Sequence, residues 1–227
     1  MTTTPPDGDG RANARDLAAA SLAAGNPTAW FEQLYAAAQA GTGVVPWADG
    51  QPSPLLVRWP HLPSPPRRTC VVGCGYGDDA EFLAGQRFSV TAFDIAPSAI
   101  EGARRRFAGS AVLYRVADVM APPSDLVAAF DLVVELFTLQ SLPSTARRDA
   151  ISGIASLVAP GGTLLVVARA RDASEPEGSL PWPLTRAEID SFTAYGLRVE
   201  DIEDFMDDEQ PSVRRWRATF TRPASAA

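Results

Sequence analysis

Cys70-Val-Val-Gly73-Cys74-Gly75-Tyr-Gly77-Asp78-Asp79 and, past one helical stretch, Thr91-Ala-Phe-Asp94-Ile95-Ala-Pro97 set the pattern for the rest of the chain. A β-branched run ends in glycines, residues 78–85 have helical character, and a second apolar run over 88–93 stops on a carboxylate. This is a strand–helix–strand unit. Gly73, Gly75 and Gly77 permit a sharp turn and let a ligand approach the backbone where a Cβ would block it. Asp94, at the carboxyl end of the second strand, is placed to accept hydrogen bonds from a ribose diol.

The glycine spacing separates two cofactor classes. A dinucleotide fingerprint, Gly-x-Gly-x-x-Gly, uses its third glycine for tight helix–strand packing beside a pyrophosphate. Here that place holds Asp78, and the glycines fall as Gly-x-Gly-x-Gly. A carboxylate at the start of the helix opposes a pyrophosphate where an anion would otherwise be favoured. A ligand carrying a sulfonium and an α-amino group is not repelled. The pattern predicts S-adenosylmethionine, and a purely structural turn in another doubly wound fold is the competing reading.

The length of 227 residues suits one large α/β domain, and 46% hydrophobic with 21% charged residues supplies an ordinary core. Twenty basic against 27 acidic residues, net charge −7, argues against a nucleic-acid partner. All twenty basic residues are arginines, so lysine Schiff-base chemistry is excluded. Cys70 and Cys74 lie in a strand and its turn, where they cannot bridge, and no third thiol exists. With His61 as the single histidine, a transition-metal site is not expected. No signal peptide or membrane span is apparent, which predicts a cytoplasmic protein without a membrane partner, a monomer or homodimer.

The chain order predicts a disordered tail over residues 1–10 and a single domain over 11–227, made of an N-terminal helical cover and lid (11–67) and a catalytic core (68–227). Residues 11–24 are alanine-rich and stop at Gly25. Asn26-Pro27 then supplies a cap and first-turn proline for a helix to about Ala40. On that helix Phe31 and Leu34 read as a core-facing stripe. Trp30 and Tyr35 carry polar handles and are open to site use. Residues 41–54 form a Gly- and Pro-rich loop that displays Trp47 as a candidate lid.

Beyond Asp94 a helix runs from about Ser98 to Phe107, with Arg104, Arg105 and Arg106 on a solvated face. Residues 112–116 form the third strand, ending near Asp118. A fourth over 130–136 carries Glu135, a helix spans 147–158, and Pro160-Gly161-Gly162 precedes a strong strand over 163–168. Polar groups thus recur at strand ends, the edge where ligands bind open α/β sheets. Thr185-Arg-Ala-Glu188 is a capping box for a helix to about Tyr195. Apolar runs over 197–205 and 213–220 make a hairpin. The expected fold is a doubly wound, seven-stranded, mostly parallel α/β sheet with an antiparallel carboxyl-terminal edge.

The glycine motif, Asp94, Asp118 and Pro160-Gly161-Gly162 are similar to the motifs of class I S-adenosylmethionine-dependent methyltransferases. Trp30, Val45-Pro46-Trp47 with Gly50-x-Pro-x-Pro, the Gly-Cys-Gly-Tyr-Gly-Asp-Asp run and Phe93-Asp94-Ile-Ala-Pro-Ser-Ala-Ile resemble the thiopurine S-methyltransferase family over nearly the whole chain. The sequence departs from that family at Val72, where many members have proline, and at Glu135-Leu136-Phe137. The resemblance implies that the cofactor is held by Trp30 and Trp47, by Gly73, Cys74 and Gly75, by Asp94 and Ile95, by Asp118 and Val119, and by Glu135. It implies an acceptor pocket of Tyr35, Trp47, Phe137 and Arg147, with Arg147 as the catalytic candidate beside the substrate.

With one histidine, no lysine and no metal cluster, a dedicated base for an alcohol is hard to find. A thiol, with a pKa of about 8.5, ionises appreciably at neutral pH without one. The expected activity is S-methylation of a small aromatic or heterocyclic thiol, or of a reduced dithiol natural product, in detoxification or secondary metabolism. O-, N- or halide methylation, or cofactor binding without catalysis, are the alternatives.

Overall fold

β1 (Arg68–Val72) is buried at every position but its first, as a strand paired on both edges and covered on both faces must be. It runs parallel to β2 (Ser89–Asp94) on one side and β4 (Phe130–Leu136) on the other. β3 (Leu113–Val116) extends the sheet past β2, and β5 (Val158–Arg169) extends it past β4. β6 (Arg198–Met206) and β7 (Arg214–Thr221) form an antiparallel hairpin whose β7 lies against β5. The computed structural model therefore has one seven-stranded sheet in the order β3-β2-β1-β4-β5-β7-β6. This is the predicted doubly wound α/β architecture with its antiparallel edge.

The structure describes residues 7–65 and 67–224, with side chains from Gly10 onward. Residues 1–6 of the tail expected to be disordered lie outside that range. Residues 7–10 correct the expectation, since they already belong to α1 (Asp7–Ala23). α2 (Ala29–Gln39) starts two residues later than expected, so that Thr28 rather than Asn26 stands at its N-cap, while the Asn26 side chain accepts from the N–H groups of Thr28 and Ala29. The short α3 (Pro54–Val57) closes the N-terminal segment.

The two helical layers follow from side-chain alternation on the strands. Leu132, Val134 and Leu165 face α4 (Asp78–Gly85) and α5 (Pro97–Arg106), where they pack with Leu83 and Ile100. Val133, Leu164 and Val166 face α6 (Ser144–Leu157), packing with Ile151 and Ile154. α7 (Arg186–Asp190) opens with the predicted capping box, but tightens after five residues into a 3-10 turn over Ser191–Tyr195 that Gly196 closes. A separate cluster joins Ala14, Ala18, Trp30 and Leu34 of the cover to Ala96 and Ala99. Glu32 ties the cover to α5 by accepting from the Ser98 N–H at 3.0 Å and its hydroxyl at 2.6 Å.

Three further expectations change. Pro160-Gly161-Gly162 does not precede the strand but lies inside β5, as a bulge between the pairs Phe130–Val158 and Leu132–Thr163. α6 begins at Ser144, because Pro143 stands at its N-cap with extended backbone. The arginines of α5 are not simply solvated: Arg106 grips Asp78 through two hydrogen bonds, at 2.7 and 2.9 Å.

Candidate functional site

At the carboxyl edge of the sheet, where the strand order reverses between β1 and β4, lies a cavity of about 890 Å3. Its floor is the glycine turn. Gly73, Gly75 and Gly77 all have positive φ, at 60°, 51° and 91°. A Cβ on Gly75 would sit 2.7 Å from the Tyr35 hydroxyl, so the turn is closed against the cover as well as open to the cavity.

Asp94 holds this turn in place. One carboxylate oxygen accepts from the Gly75 N–H at 3.0 Å and the other from the Ala96 N–H at 2.9 Å. Burial pushes its pKa up, while the N–H groups of Ala96, Gly75 and Ile95 pull it back. With about four acceptor sites on its two oxygens the carboxylate retains capacity beyond these N–H groups, and Asp94 lines the cavity beside Ile95. Past β3, Asp118 accepts from the Met120 N–H at 2.8 Å with one oxygen and presents its residue, with Val119, to the same cavity.

The 41–54 loop is pinned at two points. Trp47, 45% exposed, donates its indole N–H to the Tyr35 hydroxyl at 3.1 Å. The Ser53 N–H donates to Asp79 at 2.7 Å, and burial raises that carboxyl to about 6. Cys74 also lines the cavity. Burial first, then the charge of Asp94, pushes its thiol well up, which disfavours the thiolate.

The structure brings together Tyr35, Trp47, Gly73, Cys74, Gly75, Asp94, Ile95, Asp118, Val119 and Phe137 around this one cavity. It leaves out three expected residues. Trp30 is fully buried in the cover, stacked on Phe31 at 3.9 Å, and it is Phe31 that faces the cavity. Glu135 is fully buried below the wall: one oxygen accepts from the Leu139 N–H, the other has no partner, and burial raises its pKa to about 7. Arg147 is 2% exposed and donates to the carbonyls of Leu139, Leu142 and Trp182 and to Glu188. A guanidinium so occupied is a structural clamp on the segment that follows β5, not a group beside a substrate.

Phe137, expected at the acceptor pocket, lines the cavity, whereas Arg169 and Arg215 were not anticipated from the sequence. Phe137 has φ of 65°, a conformation that costs an ordinary residue of order 1–3 kcal/mol. Its N–H donates to Val167, and its ring lies beneath the Arg215 guanidinium at 5.1 Å. Arg169 ends β5 and Arg215 begins the facing part of β7. Only the strand order brings them to the cavity. The signal available was a lone arginine closing the apolar run of residues 163–168.

The cradle suits S-adenosylmethionine. Its glycine backbone is open, Asp94 has free acceptor sites for a diol, and Asp118 offers a carboxylate at the next strand end. Arg106 offsets the charge of Asp78, so this carboxylate opposes a pyrophosphate less than the sequence suggests, and the glycine spacing is what separates the turn from a dinucleotide fingerprint. Among the described residues no group of three or more histidine, cysteine or acidic side chains is arranged to hold a metal. No described helix is long and apolar enough to cross a membrane.

Comparison with known proteins agrees with this geometry. Residues 70–162 match the methyltransferase domain family. An uncharacterized methyltransferase of Mycobacterium tuberculosis is 41% identical over 96 residues, 42% of this chain and 47% of that protein. The chain thus aligns to about half the length of that relative. A thiopurine S-methyltransferase of Vibrio atlanticus is 25% identical over 179 residues, 72% of this chain and 82% of that one. Among solved structures, one described as converting a disulfide bond into a thioacetal group during echinomycin biosynthesis aligns with a TM-score of 0.70 at 20% identity, over 86% of this chain and 94% of that one. A S-adenosylmethionine-dependent methyltransferase of Methanosarcina mazei aligns with a TM-score of 0.62 at 18% identity, over 77% of this chain and all of that one. Residues 70–162 are thus similar to a methyltransferase domain, and the chain has the fold of S-adenosylmethionine-dependent methyltransferases of known structure.

Proposed function

We propose that the protein methylates the sulfur of a small aromatic or heterocyclic thiol, or of a reduced dithiol natural product, from S-adenosylmethionine. The observation that carries this reading is an aromatic chamber, joined to the glycine cradle, whose described lining includes no histidine and in which most carboxylates are already engaged. Asp207 is paired with Arg215, Asp78 with Arg106, and Asp208 with Arg58. Asp79 holds the lid, and Asp118 its own turn. His61 lies outside the cavity, against Asp201. Such a chamber favours an acceptor that brings its own acidity, and a thiol does so near neutral pH.

Bound S-adenosylmethionine would supply a methyl group already activated by a sulfonium. On this reading the backbone of Gly73 to Gly75 would hold its amino-acid end, Asp94 and Ile95 its ribose, and Asp118 with Val119 its adenine. Trp47, Phe31 and Phe137 would exclude water from the acceptor and offer flat faces to an aromatic ring. The resemblance to a thiopurine S-methyltransferase across most of both chains supports a sulfur acceptor of this kind.

Two measurements test the proposal. Calorimetric titration should show saturable binding of S-adenosylmethionine and none of NADH. A panel of aromatic thiols, assayed for S-adenosylhomocysteine release, should show turnover that the matching phenols lack. Turnover of phenols but of no thiol would remove sulfur as the acceptor.

A further inference from the structure

The acceptor half of the cavity holds an unbalanced charge. Arg169 of β5 and Arg215 of β7 stand directly opposite each other in antiparallel register. Like charges so placed destabilise a sheet unless something offsets them. Arg215 is offset twice, by Asp207 at 2.7 Å and by Glu209 at 2.6 Å. Arg169 is not. Among the described residues no carboxylate oxygen lies within ion-pair distance of its guanidinium, and its Nε is buried with no acceptor. A buried charged donor left without a partner is costly.

The surroundings sharpen the imbalance. α1 brings Arg11 and Arg15 to the same cavity, where Arg15 donates to the Leu180 carbonyl at 2.9 Å. Burial lowers the pKa of Arg169, and the charges of Arg215 and Arg11 lower it further, against the opposing pull of Glu209 and Asp207. Phe31, Phe137 and Leu142 supply apolar wall beside these cations. The main chain of Arg169 is itself fixed, its N–H donating to the Gln140 side chain at 2.6 Å, so the guanidinium stands on a rigid base.

We propose that the methyl acceptor is an organic anion, an aromatic acid whose carboxylate pairs with the Arg169 guanidinium while its ring lies against Phe31 and Phe137. This rests on the methyltransferase reading for the word acceptor, but not for the binding site itself. A planar guanidinium with parallel donors matches a carboxylate in two-point geometry. The pairing would satisfy the orphan donor and offset the facing arginines together.

Titrating the S-adenosylhomocysteine-loaded protein with 2- and 4-mercaptobenzoate, and with the corresponding carboxamides, tests the site without turnover. At least one acid should bind about ten- to a hundredfold more tightly than its amide, the scale of one charged hydrogen-bonded pair. Arg169→Gln should abolish that preference while leaving the affinity for S-adenosylhomocysteine within about twofold. Arg169→Lys, which keeps the charge but not the fork, should retain part of it and covers the case of a misfolded glutamine variant. Equal binding of acids and amides to the wild type, a preference that survives Arg169→Gln, or full discrimination by Arg169→Lys would overturn the proposal. So would a parallel loss of S-adenosylhomocysteine affinity in Arg169→Gln, which would assign the arginine to the cofactor's own carboxylate. Failure of the methyltransferase reading looks different: the wild type would bind no S-adenosylhomocysteine, and an acid preference would persist on the unloaded protein.

Discussion

Asp94 has two tasks, because its oxygens fix the glycine turn and still face the cavity. Asp94→Ala should therefore weaken S-adenosylmethionine binding by about 2 kcal/mol or more, read by calorimetry, and should lower the melting temperature as well. An unchanged dissociation constant would remove the ribose role and leave the structural one. Asp118→Ala should erase discrimination between the adenosine and inosine forms of S-adenosylhomocysteine, since its free oxygen is the acceptor suited to an exocyclic amino group. Retained discrimination would move the adenine elsewhere. Single residues were legible where chemistry and strand position coincide, as at Asp94, Asp118 and the glycines. Legibility failed where a side chain's direction depends on distant chain. Arg147 was expected beside a substrate but is buried. The carbonyls that occupy it come from Leu139, Leu142 and Trp182, whose convergence no local pattern reveals.

Helix α6 links several of these features. Arg147→Ala should cost about 3–5 kcal/mol in denaturant unfolding, because it strands buried carbonyls and the partnered Glu188. The same variant, measured in the folded range, should keep the wild-type pH profile of turnover, as befits a clamp. Further along the helix, a Cβ on Gly153 would lie 1.7 Å from the Val119 carbonyl oxygen, a backbone atom that cannot swing aside. Gly153→Ala should cost about 1–3 kcal/mol despite alanine's better helix propensity, and should also weaken cofactor binding by displacing Val119. A more stable variant with unaltered affinity would show the helix free to shift. Element existence and order followed well from apolar periodicity and caps. Boundaries shifted where a proline or glycine served a bulge or a cap, as at Pro143 and Gly161.

For the molecule as a whole, three carboxyls raised by burial, Glu135, Asp79 and Asp94, bear on the pH dependence. Glu135 is raised to about 7 and Asp79 to about 6, both by burial. A raised carboxyl binds its proton more tightly in the folded state, so the stability it contributes is present below its unfolded pKa. That stability is lost as pH climbs through the folded value. Between about pH 4.5 and 7 the Glu135 contribution should fall by up to about 1.4 kcal/mol per pH unit. Urea unfolding across pH 5 to 8 should show this decline, and Glu135→Gln should flatten it while stabilising the protein at pH 8. Identical slopes in the two proteins would place the titration elsewhere.

The antiparallel strand β7 has a consequence for how such a protein can be altered. It runs against its neighbour β5, so its first residues, rather than its last, arrive at the ligand-binding edge beside Arg169. On the proposed reading the acceptor part of the cavity is encoded in α1, the start of α2 at Phe31, the 41–54 loop, Phe137, the end of β5, the segment around Leu180 and the turn before Arg215, while the cofactor part is encoded in residues 73–119. The two sets of residues are separate stretches of gene. Exchanging the 207–213 turn or the face of α1 between relatives should retarget the enzyme to new acceptors while S-adenosylmethionine affinity stays constant, which makes acceptor choice the freely variable part of this architecture.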